Sequence, residues 1–251
     1  MIDLHSHILA GLDDGARTLE DSFEMARVAV SEGVTVVAAT PHVRDDFPTS
    51  AEVMEEAVAE LNSDLAENDI DLEVLPGGEV DLGWLTTMSE EERRRFSIAQ
   101  NGRYILVEIP LVGWPLSLDA QIFALRSAGV TPILAHPERN SDVQANPAIL
   151  ERLVRGGARV QVTAASLDGR LGRRASHACR RLLDLGLVHV LASDAHAPDV
   201  RRGGLARAVA ALRDDGLARY LTCEVPAAIV AGEPVPLRTI RDRRRRRFIL
   251  F

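Results

Sequence analysis

Short apolar, β-branched runs recur along the chain, each followed by a polar turn and then by apolar residues at helical spacing. The pattern predicts strands at 2–4, 34–39, 72–75, 104–108, 131–135, 159–162 and 188–192. Helices are predicted between them at 19–32, 51–68, 116–128, 147–155, 173–185 and 205–215, with a short one at 89–95 that opens on the capping pattern Ser-x-x-Glu. Gly33, Gly129, Gly156 and Gly186 fall where a left-handed residue closes a helix. Seven βα repeats with no long interruption imply an α/β fold in which a parallel sheet is closed or nearly closed, with the helices outside.

Composition narrows this picture. With 251 residues, 46% of them hydrophobic, the chain can bury a full core and suits one large domain over 1–240, an α/β barrel among the options. Residues 241–251, with five consecutive arginines before Phe248, read as a basic tail. A solvated end is the simple reading of that tail, and peripheral contact of 241–247 with an anionic membrane the sharper one. The sequence contains no apolar run of the ~18 residues that a membrane span needs, and its start lacks the basic and apolar segments of a signal peptide. Cys179 and Cys223 show no C-x-x-C spacing, so a cytoplasmic location is expected.

The net charge of −8 argues against a nucleic-acid binder. It is unevenly spread: residues 1–100 hold 23 acids and 6 bases, the remainder 14 acids and 23 bases. Metal-capable side chains account for part of the acidity. His5 and His7 stand two apart on the first strand, so both point to one side. His42 follows the second strand, Glu79 the third, and Glu108 ends the fourth. His136 follows the fifth, and Asp194 and His196 the seventh.

These are the carboxyl ends of the strands, where the loops of an α/β barrel build the active site. A carboxylate at the end of an apolar strand is costly to bury unless it is paired or metal-bound. Mixed imidazole and carboxylate donors suit divalent manganese, iron or zinc, manganese preferred. Eight donors, with Asp14 as a candidate ninth, exceed the needs of one ion. Two or three ions are expected, with a carboxylate such as Glu108 bridging. Ions so placed activate water and hold the oxygens of a phosphoester, which makes hydrolysis the natural chemistry. Arg139 and Arg201 lie on the loops over this pocket as candidate phosphate donors. Asp13 reads as a turn residue beside Gly15.

The segments "DLHSHILAGLDDGARTLEDSFEMAR", "VVAATPH", "PGGEV", "ILVEIP", "PILAHPER" and "LASDAH" resemble, in the same order, the polymerase-and-histidinol-phosphatase (PHP) superfamily. Within it they look most like the bacterial protein-tyrosine phosphatase branch, the capsular polysaccharide phosphatases. The resemblance implies a distorted (β/α)7 barrel, a trinuclear metal centre, and hydrolysis of phosphotyrosine on the tail of a tyrosine autokinase that controls exopolysaccharide export. By motif it implies metal binding by His5, His7, Asp14, His42, Glu79, Glu108, His136, Asp194 and His196, and phosphate contact by Arg139 and Arg201. The chain departs from the pattern at Val43-Arg44-Asp45-Asp46, at Thr163 and at Ala197-Pro198-Asp199-Val200, in loops that would meet the substrate.

Competing expectations are a small-molecule phosphatase of the same superfamily, acting for example on histidinol phosphate, and a non-catalytic module that keeps the barrel. A cysteine-dependent tyrosine phosphatase is excluded, because Leu185 and Ile229 stand six residues after the two cysteines, where that mechanism needs arginine. The sequence leaves the oligomeric state open.

Overall fold

The second and third expected strands end just before Pro41 and Pro76, which have no N–H to give to a ladder. The computed structural model, which describes residues 1–196 and 204–237, breaks the wall at both. Its strands are β1 (Ile2–Ser6), β2 (Val36–Ala39), β3 (His42–Arg44), β4 (Phe47–Pro48), β5 (Glu73–Leu75), β6 (Glu79–Asp81), β7 (Tyr104–Glu108), β8 (Thr131–Ala135), β9 (Arg159–Thr163) and β10 (Val190–Ala192). A lower ladder runs β1-β2-β5 and an upper one β10-β9-β8-β7-β6-β3-β4. Since β2 continues into β3 and β5 into β6, these ladders are seven staves of one wall.

The wall closes where β1 meets the end of β10: His7 N–H donates to Ala195 at 2.8 Å and Asp194 N–H to His5 at 2.9 Å. The strands are parallel except for β3 with β4, a short antiparallel hairpin that departs from the all-parallel expectation. The result is the expected α/β barrel, with helices outside and a core of Leu4, Leu106, Ile133, Leu134, Val160 and Val162.

The outer helices follow the sequence pattern closely. Leu19–Ser31 begins with a full capping box between Thr18 and Asp21. Ala51–Glu67 buries Met54, Val58, Leu61 and Leu65, the stripe of a one-faced helix. The region predicted at 205–215 stops at Leu212, where Arg213 turns left-handed, and Asp215–Arg219 begins separately. Gly33, Gly129 and Gly186 take the expected left-handed conformation. Gly156 stays right-handed and the next residue, Gly157 (φ 101°), makes the turn. No helix among the described residues is long and apolar enough to cross a membrane. The tail 241–251 lies outside the described residues.

The foot of the barrel holds a pH-dependent contact. His189 Nδ1 accepts the Val160 N–H at 3.2 Å, a bond that only an unprotonated nitrogen can make. Burial, and then the nearby Arg159 charge, push His189 from 6.5 down to about 4. Folding therefore favours the neutral ring: the contribution is complete above pH 6.5 and is lost as pH falls toward 4. Urea unfolding at pH 7 and pH 5 should show His189→Asn, which keeps an acceptor but cannot titrate, losing about 2 kcal/mol less than the parent on acidification.

Candidate metal centre

The two-residue period of β1 sends the His5 and His7 rings the same way, and their Nε2 atoms lie 3.2 Å apart. His42 opens β3 in register with Glu79, which opens β6 on the neighbouring stave. Glu108 ends β7. His136 and Asp194 come one and two residues after β8 and β10, and both hold left-handed backbone, φ 32° and 52°. A left-handed turn is strained for a residue with a Cβ, and here it coincides with side chains at a candidate site.

The nine residues expected as ligands gather in four overlapping groups: His7, Asp14, His42 and His196; His5, Glu79 and His136; His5, His7 and Asp194; and His42, Glu79 and Glu108. Within each group the donor atoms lie within 4.8 Å of one another. Of the nine, Asp14 is the exposed one, at the solvent edge, with Oδ1 3.4 Å from His42 Nε2 and 3.3 Å from His196 Nε2.

Glu79 sits at the centre. Its Oε1 is 2.7 Å from His136 Nε2, and its Oε2 is 3.0 Å from His42 Nδ1, 3.3 Å from His5 Nε2 and 3.4 Å from His7 Nε2. Glu79, where Glu108 was the expected bridging candidate, is the carboxylate that faces more of the other donors. Glu108 belongs to one group and Glu79 to two, because Glu108 ends its strand nearer the solvent while Glu79 begins its strand inside the ring.

Buried carboxylates facing imidazoles create a demand for positive charge. Burial pushes Glu79 up, and the His5 and His136 imidazoles overcome it, holding the carboxyl well below its ordinary range. Asp194 is likewise held low by His5, His136 and His196 against its burial. Burial lowers His7 and His42, but Asp13 and Glu79 raise the first to about 10, and Asp14 and Glu79 raise the second to about 9. Glu79 Oε2 and His42 Nδ1 are buried and make no hydrogen bond. A carboxylate oxygen and an imidazole nitrogen so placed are donors that a shared cation would satisfy, and the set fits divalent metal.

Sequence reasoning missed the residues that aim these donors. Asp13, read as a turn residue, does accept the Gly15 N–H at 2.9 Å, but its Oδ2 also accepts from His7 Nδ1 at 2.6 Å and from the His42 N–H at 2.9 Å. That carboxylate commits His7 to present Nε2 to the centre. Gly15 is required by closeness: a Cβ there would lie 2.2 Å from the His7 carbonyl oxygen. Gln161, a buried polar residue inside β9, accepts the His136 N–H at 3.0 Å and stands 3.2 Å from His5 Nδ1. Its polarity within an apolar strand was the available signal.

Arg139 Nη1 donates to Asp194 Oδ2 at 3.0 Å, which places its guanidinium at the edge of the cluster. Arg201 lies outside the described residues.

Similarity to known proteins agrees with this geometry. The family model for capsular polysaccharide synthesis, CpsB/CapC, matches residues 1–230. The chain is 39% identical to the tyrosine-protein phosphatase YwqE of Bacillus subtilis, over 78% of this chain and 77% of that protein. It is 27% identical to the tyrosine-protein phosphatase CpsB of Streptococcus agalactiae, over 83% of this chain and 88% of that one. Its fold superposes, at a TM-score of 0.86 and 34% identity, on a chain from the crystal structures of YwqE from Bacillus subtilis and CpsB from Streptococcus pneumoniae, described as unique metal-dependent tyrosine phosphatases. That match covers 94% of this chain and 96% of the other. A β-aspartyl dipeptidase from Fervidobacterium islandicum, 14% identical at a TM-score of 0.54, shares the fold alone.

Elemental analysis should rank the acidic residues. Glu79→Gln is expected to lose more bound metal than Glu108→Gln, because it faces two groups of donors. Asp13→Ala, with all nine donors intact, should weaken metal binding by about 10- to 100-fold through the loosened His7 ring. Parent-like metal affinity in Asp13→Ala would show that the ring is held by other means.

Proposed function

The chain belongs to the capsular polysaccharide synthesis CpsB/CapC family, and we propose that its substrate is phosphotyrosine on the tail of a bacterial tyrosine autokinase, whose dephosphorylation regulates exopolysaccharide export. The protein is a metal-dependent phosphatase related to the bacterial tyrosine phosphatases of capsule synthesis. The observation that carries the reading is the convergence of the nine donors, the buried Glu79 among them, with the Arg139 guanidinium bonded to Asp194 at their edge.

His5, His7, His42, His136 and His196, with Asp14, Glu79, Glu108 and Asp194, would hold two or three divalent ions, manganese preferred. When bound, such ions supply a nucleophile from water at neutral pH and polarise the phosphoryl group. The protein's own part is to aim and to select. Asp13 and Gln161 fix the His7 and His5 rings, and Glu79 gathers the imidazoles. Arg139, which donates to Asp194, would meet a non-bridging phosphate oxygen with a charge-assisted bond. Arg201 is assigned the same role by its position in the motif. The exposed Asp14 marks a solvent side from which an extended chain can bring a phosphorylated side chain. We place the reaction in the cytoplasm, where cysteines such as Cys179 and Cys223, both unpaired, remain reduced.

The test is a comparison on metal-reconstituted protein. kcat/KM should be higher for a phosphotyrosyl peptide than for histidinol phosphate, and lower for a phosphoseryl peptide, whose alkoxide is a more basic leaving group than phenolate (pKa about 10). Chelation should abolish all three activities. A preference for histidinol phosphate would move the assignment to a small-molecule phosphatase with the same centre. Arg139→Ala should lower kcat/KM by about 10- to 1000-fold with metal content unchanged, equivalent to about 1.5–4 kcal/mol of transition-state stabilisation. Loss of metal in that variant would make the arginine structural.

A further inference from the structure

The hairpin of β3 and β4 carries an arginine that no family motif assigns. Arg44 follows His42 by two residues, so the strand period puts both side chains on the face toward the donor cluster. Its Nη1 donates to Glu108 Oε2 at 3.1 Å, and its Nε lies 2.8 Å from Asp46 Oδ1. Its guanidinium carbon stands 5.3 Å from the centre of the Phe47 ring, which in turn stacks on the His42 imidazole at 5.8 Å and 18°. The side chain is 27% exposed, and among the described residues its Nη2 has no partner. A guanidinium held on three sides has already given up most of its rotamer freedom and still offers donors, which is the state in which it binds an anion at low entropic cost.

Arg44 and Arg139 serve different parts of the centre. Arg139 meets Asp194, which belongs with His5 and His7, whereas Arg44 meets Glu108, which belongs with His42 and Glu79. A phosphate monoester lying across both groups presents three non-bridging oxygens, more than one guanidinium fork can engage. The edge at Glu108 carries only one other positive-capable neighbour on the hairpin, His42, whose ring nitrogens already face Asp14 and Glu79.

We propose that Arg44 is a further phosphate-binding guanidinium of this site, additional to Arg139 and Arg201, engaging the substrate's phosphoryl oxygens on the side of Glu108 while Arg139 engages them on the side of Asp194. This rests on the reading of the site as a phosphatase. It also gives Val43-Arg44-Asp45-Asp46, where the chain departs from its family's pattern, a role in holding substrate.

The experiment uses the full chain loaded with metal and inorganic orthophosphate as the probe, with affinity read by calorimetry and metals per chain by elemental analysis. Arg44→Gln should weaken orthophosphate binding by about tenfold or more, with metal content equal to that of the parent, the loss expected for a charge-assisted donor. Arg44→Lys, which keeps the charge and loses the fork, should fall between the two. The same order should hold for kcat/KM on a phosphotyrosyl peptide. Unchanged orthophosphate affinity in Arg44→Gln, or loss of metal from it, overturns the proposal and leaves Arg44 as a brace for Glu108. If Arg44→Gln does not fold, Arg44→Lys decides: affinity equal to the parent's overturns the proposal, and a few-fold loss with metal retained supports it. A parent enzyme that binds no orthophosphate overturns the phosphatase reading as well, whereas a parent that binds it as tightly as the variants do overturns this inference alone.

Discussion

A carboxylate with almost no solvent exposure, surrounded by four imidazoles, is the constraint to which the rest of this molecule answers. Glu79 could not stay ionised at that depth without positive charge on several sides. The imidazoles supply it from β1, from β3 and from the turn after β8. Those elements are far apart in sequence, so the interaction forms only when the wall has closed. Closing it in turn requires β1 to bond with β2 on one side and with the end of β10 on the other. The centre and the ring are therefore one cooperative structure.

Much of this was legible in the chain. Six of the nine donors, His42, Glu79, Glu108, His136, Asp194 and His196, end or closely follow an apolar run, and burying a polar group there is expensive unless it has a purpose. The barrel followed from the alternation of strand and helix patterns. The parts that escaped depend on relations that spacing does not encode. Asp13 looks like any aspartate in a turn until the fold brings His7 and the His42 backbone to its second oxygen. Whether Glu79 or Glu108 lies innermost is a matter of where each falls along its stave, and both have the same sequence signature. β3, β4 and β6 are two or three residues long, too short for a period to show. Around Arg213 and Tyr220 the helix pattern was lost because the chain changes direction and then widens into a π turn.

The positioning residues share a logic. Asp13 and Gln161 each take one nitrogen of a histidine and so decide which nitrogen is left for the centre. Arg139 and Arg44 each take one carboxylate oxygen at the periphery. The groups that would touch an ion are thus fixed by partners that would not. That separation puts the aiming of each of these donors in a residue outside the donor set.

The breaks at Pro41 and Pro76 have a further consequence. They divide two neighbouring staves into a lower half that belongs to the scaffold and an upper half that carries His42 and Glu79. Gly78, at the second break, lies so close to Phe96 that a Cβ would come within 2.7 Å of the ring, so the step between halves is packed rather than loose. At each step the proline cannot donate to a ladder, so the two halves of a stave are joined there by the covalent chain and by packing. The donors therefore stand above the step, on short strands whose seating depends on side-chain closeness as well as on the ladder.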